Sequence, residues 1–128
     1  PVYLGSRVVR IPQALASSGA DGAIVSNPKD TLTFLRAFGR GELFDASWIP
    51  RLSKPNAPST ASPRMGLGAM VQPEQGPRRL ILGHSAVSGA AVGIDTRNQR
   101  YAFVTNFQWS PLGTSFENVT GLLRSLPR

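Results

Sequence analysis

The second half of this chain is a series of short apolar segments separated by turns of only a few residues, and this pattern constrains the fold more than any other feature. The segments run over 65–72, 78–84, 89–95 and 100–107. Residues that favour turns, such as Pro, Gly, Asn and Ser, lie between them. Connections this short join antiparallel strands, because a parallel pair needs a crossover of a dozen or more residues. The sequence therefore predicts an antiparallel meander of about four strands.

One helix is predicted before this strand region. Either Ser26 or Asn27 can cap its N-terminus with a side-chain oxygen, and Pro28 fits its first turn. Gly39 or Gly41 is expected to end it. The apolar side chains that share one face at helical spacing are Leu32, Leu35 and Phe38, with Phe34 nearby.

A second helix is predicted after the strands, starting near Thr114 or Ser115. Its expected apolar stripe consists of Val119, Leu122, Leu123 and Leu126. A short helical turn capped by Asp45 is predicted between the first helix and the strands, with Pro50 limiting its length. These elements together predict an α+β fold in which helices pack on an antiparallel sheet.

The length of 128 residues fits a single unit over 1–128. Within it, residues 1–18 show no clear period and predict an irregular segment, and the proline-rich stretch 53–63 predicts a loop. No apolar run of about 18 residues occurs, so no membrane span is expected. The absence of cysteine excludes disulfides and thiolate metal sites but leaves the compartment open. The chain begins with Pro rather than Met, which suggests a piece of a longer protein.

The formal charge of +7 raises the question of a nucleic-acid partner. The basic residues, however, are scattered singly or in pairs along the chain, and no run of five or more occurs. We therefore interpret the charge as a solvated surface and expect no nucleic-acid binding.

A polar triplet, His84-Ser85-Ala86, ends the second predicted strand and has a glycine close on either side. A strand that ends in small polar residues is a candidate binding edge. The residues alone leave a second interpretation open, in which the histidine only makes a local hydrogen bond at the strand end.

The order of these elements, with the motifs they carry, resembles the C-terminal portion of the serine β-lactamase and penicillin-binding-protein-like family, in its class C β-lactamase and esterase-like branch. The resemblance covers residues 19–126 and depends on the ordered set of motifs rather than on any one of them. The matching segments are Gly19-Ala-Asp-Gly-Ala-Ile-Val-Ser-Asn-Pro-Lys-Asp30, Arg40-Gly-Glu-Leu43, Met65-Gly-Leu-Gly68, Gly83-His-Ser-Ala86, Asp95 and Val104-Thr-Asn106.

The resemblance implies the C-terminal part of a β-lactamase/transpeptidase-like fold and a substrate-binding role for the triplet. In the family this triplet borders the acyl pocket, its hydroxyl residue bonds the substrate, and its strand offers backbone donors. His84, Ser85 and Ala86 are therefore the expected substrate contacts. Ala86 departs from the family pattern, because glycine usually stands there and the methyl group would crowd a substrate on the strand.

The nucleophile that the family needs is not expected in this chain. Ser26-Asn-Pro-Lys29 spells the Ser-x-x-Lys motif at a helix start, but its residues fit helix capping, and no Tyr-x-Asn element follows before the triplet. We therefore expect no catalytic residue here and an inactive isolated chain. The sequence also predicts no metal site and no cofactor, since it contains one histidine and no phosphate-binding glycine loop.

By this resemblance the intact protein would hydrolyse a lactam, amide or ester substrate, small molecule or peptide, through an acyl-enzyme. Its partners would be that substrate and the missing N-terminal part of the same protein, with a homodimer through an exposed sheet edge as a further expectation. The alternative is a non-catalytic binding or interaction module derived from the same fold. The sequence does not choose the substrate or the compartment.

Overall fold

The computed structural model describes residues 2–9, 24–54, 63–73, 80–86, 88–107 and 115–127. Its elements in chain order are the strands and helices β1 (Val2–Leu4), β2 (Arg7–Val9), α1 (Pro28–Gly39), a 3-10 turn (Ala46–Trp48), α2 (Ile49–Leu52), β3 (Arg64–Met65), β4 (Met70–Pro73), β5 (Leu80–Ser85), β6 (Ala90–Asp95), β7 (Arg100–Thr105) and α3 (Ser115–Ser125). Helices pack on an antiparallel sheet, which confirms the α+β class.

The main sheet is a meander of five antiparallel strands in the order β3-β4-β5-β6-β7. The prediction of about four strands was short by one, because the segment predicted over 65–72 is a hairpin of β3 and β4. Gly68, with φ +81°, lies in the turn, where the N–H of Gly66 donates to the carbonyl of Ala69 at 2.8 Å. A positive φ favours glycine, so Gly68 supports a turn at this point, whereas Gly66 is needed because a Cβ atom there would overlap the carbonyl oxygen of Leu52.

α3 packs on one face of the sheet, across a row of small residues from three neighbouring strands, called the small-residue lane below. Gly83, Gly93 and Ala102 are register neighbours across β5, β6 and β7. A Cβ atom at Gly93 would overlap Val119 and lie 3.0 Å from Cδ1 of Leu123. The missing side chains thus allow the helix to approach the strands closely and complete the core.

The core on this face consists of Ile81, Ala91, Ala102, Phe116, Val119 and Leu123. The stripe predicted for α3 is confirmed for Val119 and Leu123, which are fully buried, and wrong for Leu122 and Leu126, which are exposed. Phe116 takes their place, because it stands one helical turn before Val119 and so extends the same face.

The opposite face of the sheet carries α1, which packs against β6 and β7. Asn27 is its N-cap: the Asp30 N–H donates to Asn27 Oδ1 at 3.0 Å, and Asn27 Nδ2 donates to the Asp30 carboxylate at 2.7 Å. This confirms one of the two predicted caps, and the helix ends at Gly39 as expected. Leu35 is buried, whereas Phe34 is exposed.

The turn predicted at Asp45 forms, but Pro50 does not end it. The N–H of Ser47 donates to Asp45 Oδ1 at 2.8 Å, and hydrogen bonds from the backbone and side chain of Ser47 lower the pKa of Asp45 below its ordinary value of 3.8. Pro50 lies in the first turn of α2, where its missing N–H is not needed, so the chain continues helically to Leu52.

The opening segment also differs from its prediction over 2–9, where β1 and β2 form an antiparallel hairpin around Gly5 with φ +61°. Residues 10–18 and most of the proline-rich loop 53–63 lie outside the described residues, which include only Ser53, Lys54 and Pro63 of that loop. The single unit over 1–128 stays a prediction.

Candidate functional site

The triplet lies at the end of β5, where the chain turns toward β6. His84 is opposite Val92 and Ser85 is opposite Ala91 in the β5–β6 register. The N–H of Ala86 donates to the carbonyl of Ala90 at 2.8 Å, which closes the hairpin. Gly89, with φ +76°, returns the chain into β6. The three residues predicted to bind substrate therefore lie where β5 ends and the β5–β6 hairpin turns, in the middle of the main sheet.

His84 is exposed, and its ring orientation follows from one contact. Its Nδ1 lies 2.9 Å from the carbonyl oxygen of Ser85. A carbonyl oxygen only accepts hydrogen bonds, so Nδ1 carries the proton in this geometry. In the neutral imidazole, Nε2 is then left as the acceptor. The ring thus presents Nε2 as a hydrogen-bond acceptor.

Ser85 is half-buried and its side chain takes the other face of the strand. Its hydroxyl donates to the sulfur of Met70 at 3.6 Å, and Met70 packs against the core beneath α3. Consecutive side chains of a strand point to opposite faces, so the His84 ring and the Ser85 hydroxyl are on opposite faces of the sheet. The structure therefore places the two side chains next to each other in the chain without directing them at a common point.

The backbone of Ser85 offers a different group to a ligand. In an antiparallel ladder, hydrogen-bonded pairs alternate with pairs that are not hydrogen-bonded. The hydrogen bond between Ala86 and Ala90 therefore identifies which residues of β5 bond to β6. His84 therefore bonds toward β6, and the N–H and C=O of Ser85 point toward the β4 side. The pairing with β4 ends at Gly83 opposite Met70. The Ser85 N–H thus lies past the end of β4, with no ladder partner among the described residues.

A shallow depression of about 140 Å³ accompanies the triplet. Its walls are His84, Ser85, Ala86, Ala90, Ala91 and Val92. Apart from the imidazole and the serine hydroxyl, these side chains are small and apolar. The alanines and valine of β6 were missed as site residues in the sequence, although a hairpin closing at 86–90 would have placed them opposite the triplet. The arrangement suits a small, largely apolar group held by one or two hydrogen bonds.

The methyl group of Ala86 lies at the rim of this depression, and its backbone N–H is already used in the hairpin. A ligand on the strand therefore meets a methyl group at this position rather than a donor. The crowding of a substrate by this methyl group stays a prediction.

Ser26 has the surroundings of a residue before a helix cap. Its hydroxyl accepts a hydrogen bond from Thr31 Oγ1 at 3.2 Å and donates to the carbonyl of Asn27 at 3.4 Å. No hydrogen bond joins it to Lys29 within the part of the chain that the structure describes. The interpretation of Ser-x-x-Lys as a chance match stays a prediction.

Other kinds of site find little support in the described ranges. No group of three His, Asp or Glu side chains there is placed to hold a metal ion. No described helix has the length and apolar character needed to cross a membrane. Trp48 is 47% exposed, and the Arg51 guanidinium lies 4.7 Å from the centre of its ring.

Comparison of the chain with protein-family models, with curated proteins and with solved structures found no match.

Proposed function

We propose that this chain is the C-terminal part of a β-lactamase-related serine hydrolase and that it supplies the substrate-side strand but not the nucleophile. The observation that carries the proposal is the His-Ser-Ala triplet at the end of β5, beside an apolar depression and past the last rung of β4. The element order, from capped helix through antiparallel meander to C-terminal helix, supports the β-lactamase-like fold.

In this function the substrate acyl group occupies the depression next to His84. The N–H of Ser85, directed past the end of β4, donates to a carbonyl oxygen of the substrate. Nε2 of His84 accepts a hydrogen bond from the substrate. The binding surface is thus made of one backbone donor, one imidazole and an apolar wall.

The chemistry would be completed by a serine from outside this chain. Its oxygen bonds to the acyl carbon while the amine or alcohol leaves with a proton, and water then releases the acid from the acyl-enzyme. The substrate is a lactam, an amide or an ester. The described residues supply orientation and charge stabilisation, which agrees with an isolated chain that binds without turning over.

The test is an NMR titration of the isolated chain with benzylpenicillin and, separately, with phenyl acetate. Backbone amide shifts confined to 84–86 and 90–92 are expected, with His84→Gln reducing the shifts induced by the ligand. Arg97→Ala is the matched control, because Arg97 is an exposed residue at the opposite end of β6. Titrations that leave both groups of amides unmoved would count against the proposal.

Intact-mass measurement with a reactive penicillin and a fluorophosphonate tests the absence of a nucleophile. No adduct is expected, and Ser26→Ala should behave as the unmodified chain does. An adduct mapped to Ser26 would reverse our interpretation and make this chain a catalytic unit.

The second candidate is a non-catalytic binding module derived from the same fold. It is favoured by Ala86, since its methyl group restricts access to the strand and its N–H is bonded within the hairpin. A longer natural chain that carries Ser-x-x-Lys and Tyr-x-Asn upstream would favour the enzyme. A natural chain that lacks them, with a partner protein bound, would favour the module.

A further inference from the structure

The outer edge of β7 is six residues long and carries a single charged residue, Arg100, at its start. The N–H of Asn106 donates to the carbonyl of Gly89 at 3.1 Å, which marks 89–106 as a hydrogen-bonded pair. Such pairs recur every second residue, so 100, 102 and 104 bond toward β6. The backbone groups of Tyr101, Phe103 and Thr105 therefore point away from the sheet.

The chain just past the end of β7 contacts another segment at Phe107, whose φ of 55° shows that it has left the strand conformation. The carbonyl of Phe107 receives a hydrogen bond from the N–H of Tyr3 at 2.6 Å. The hairpin of β1 and β2 thus contacts the edge just past its end. No further rung on the outward groups of 101, 103 and 105 occurs within the residues that the structure describes.

The two edges of the sheet differ in their protection. At the other edge, β3 is two residues long, and the chain after it is tied down by the Leu67 N–H donating to the carbonyl of Leu52 at 3.1 Å. Shortness is a common way to prevent edge-to-edge pairing. In contrast, β7 has six residues, no proline, and its only charged residue is Arg100 at the start. Apart from Arg100 at its start and the contact of Tyr3 just past its end, it carries none of the usual protections among the residues that the structure describes.

We propose that the free edge of β7 pairs with β7 of a second copy of this chain. A twofold axis at Phe103 joins the two edges in one antiparallel register, in which Phe103 faces its own copy and Tyr101 faces Thr105 of the other copy. All three outward residues then form bonded pairs with outward residues of the other copy. Arg100, the charged residue of β7, is opposite Asn106 of the other copy, so no two like charges are paired across the interface.

The same register leaves room for the first hairpin. Gln99, which would stand opposite Phe107, has φ 52° and lies in the turn between β6 and β7. The second copy therefore turns away at the point where Tyr3 is bound.

Sedimentation equilibrium over a concentration series measures the association. A rise from 13.7 kDa to twice that mass is expected. Raising the ionic strength should strengthen association, because each copy carries a formal charge of +7 and salt screens the repulsion between copies. Amide exchange should show protection of 101, 103 and 105 that grows with concentration, while 100, 102 and 104 are protected throughout.

Two variants test the register. Phe103→Lys places two positive charges opposite each other at the twofold axis and should weaken association about tenfold or more. Thr105→Pro removes an outward N–H while leaving the β6 ladder intact, and should weaken it without unfolding the chain, as checked by circular dichroism. Met65→Lys, on the short edge at β3, is the control and should leave association unchanged.

Three results would overturn the proposal. One is a monomer at all concentrations with 101, 103 and 105 unprotected. Another is a monomer in which these amides are protected at every concentration, since a segment of the same chain would then occupy the edge. The third is loss of association in the β3 control but not in the β7 variants.

Discussion

Replacing Gly93 by alanine tests the packing that holds α3 on the sheet. Gly93 lies in the middle of the small-residue lane, and a Cβ atom there would overlap Val119 and crowd Leu123 at 3.0 Å. Valine in a helix has one strongly preferred rotamer, so Val119 has little freedom to rotate away. Either the helix moves outward or the strand shifts, and both loosen a core that is otherwise fully buried.

The expected loss follows from two opposing effects. Adding a methyl group to a well-packed core costs about 1–3 kcal/mol. Replacing glycine by alanine in a strand recovers roughly 0.5–1 kcal/mol of backbone entropy. The severe overlap with Val119 puts the packing cost in the upper part of its range, about 2–3 kcal/mol, so the net loss in the free energy of unfolding is about 1–2.5 kcal/mol. With an unfolding entropy of about 2.1 cal/mol/K per residue over the chain, this lowers Tm by roughly 4–9 °C.

The matched control is Gly121→Ala, on the exposed side of α3, where a Cβ would meet nothing within 4 Å. The same chemical change there should raise stability by about 0.5–1 kcal/mol, because alanine favours the helix. Thermal and urea unfolding followed by circular dichroism measures both variants. The two glycine-to-alanine substitutions should shift Tm in opposite directions.

A double-mutant cycle identifies the contact. Val119→Ala alone loses buried methyl groups and should cost about 2 kcal/mol. Combined with Gly93→Ala it also makes space for the new methyl group, so the double variant should be more stable than additivity predicts by about 1 kcal/mol. A Gly93→Ala variant as stable as the parent, or strictly additive effects, would refute the close packing argued here.

Three further predictions concern the helix ends and the core. Because the pKa of Asp45 is lower in the folded chain than in the unfolded chain, its carboxylate stabilises the turn above the unfolded pKa of 3.8, and this stabilisation is lost as pH falls through the folded pKa. NMR titration should therefore show the turn loosening only below pH 3.8, with no such step in Asp45→Asn. A step at higher pH would contradict this. In urea unfolding, Asn27→Ala should reduce the free energy of unfolding by about 1 kcal/mol, because the side chain that caps α1 is lost. Ser26→Ala should change it little. Equal effects would contradict the assignment of Asn27 as the cap. Phe116→Ala should lower the free energy of unfolding by about 3–5 kcal/mol, and Leu122→Ala, at an exposed position, should lower it far less, both measured by urea unfolding. A larger loss for Leu122→Ala than for Phe116→Ala would contradict the assigned core face.

The parts of the fold that local chemistry controls could be predicted from the sequence. The cap at Asn27, the stop at Gly39, the start of α3 and the turn at 96–99 depend on residues within one turn of each other. The meander also followed from the sequence, because its turns are too short for any parallel crossover. The position of the triplet at a strand end was predicted on the same basis.

Only the tertiary structure decided which side chains share a face and which backbone groups are free. Phe116 belongs to the core because α3 lies along the lane of Gly83 and Gly93, a match between residues that are far apart in the chain. Which face of the sheet His84 and Ser85 each take, and which groups of β7 point outward, depend on strand register, which is set by pairing across the sheet. The sequence by itself determined the local elements and their order, whereas long-range register and helix packing decided the site and the free edge, because those depend on contacts that no local pattern encodes.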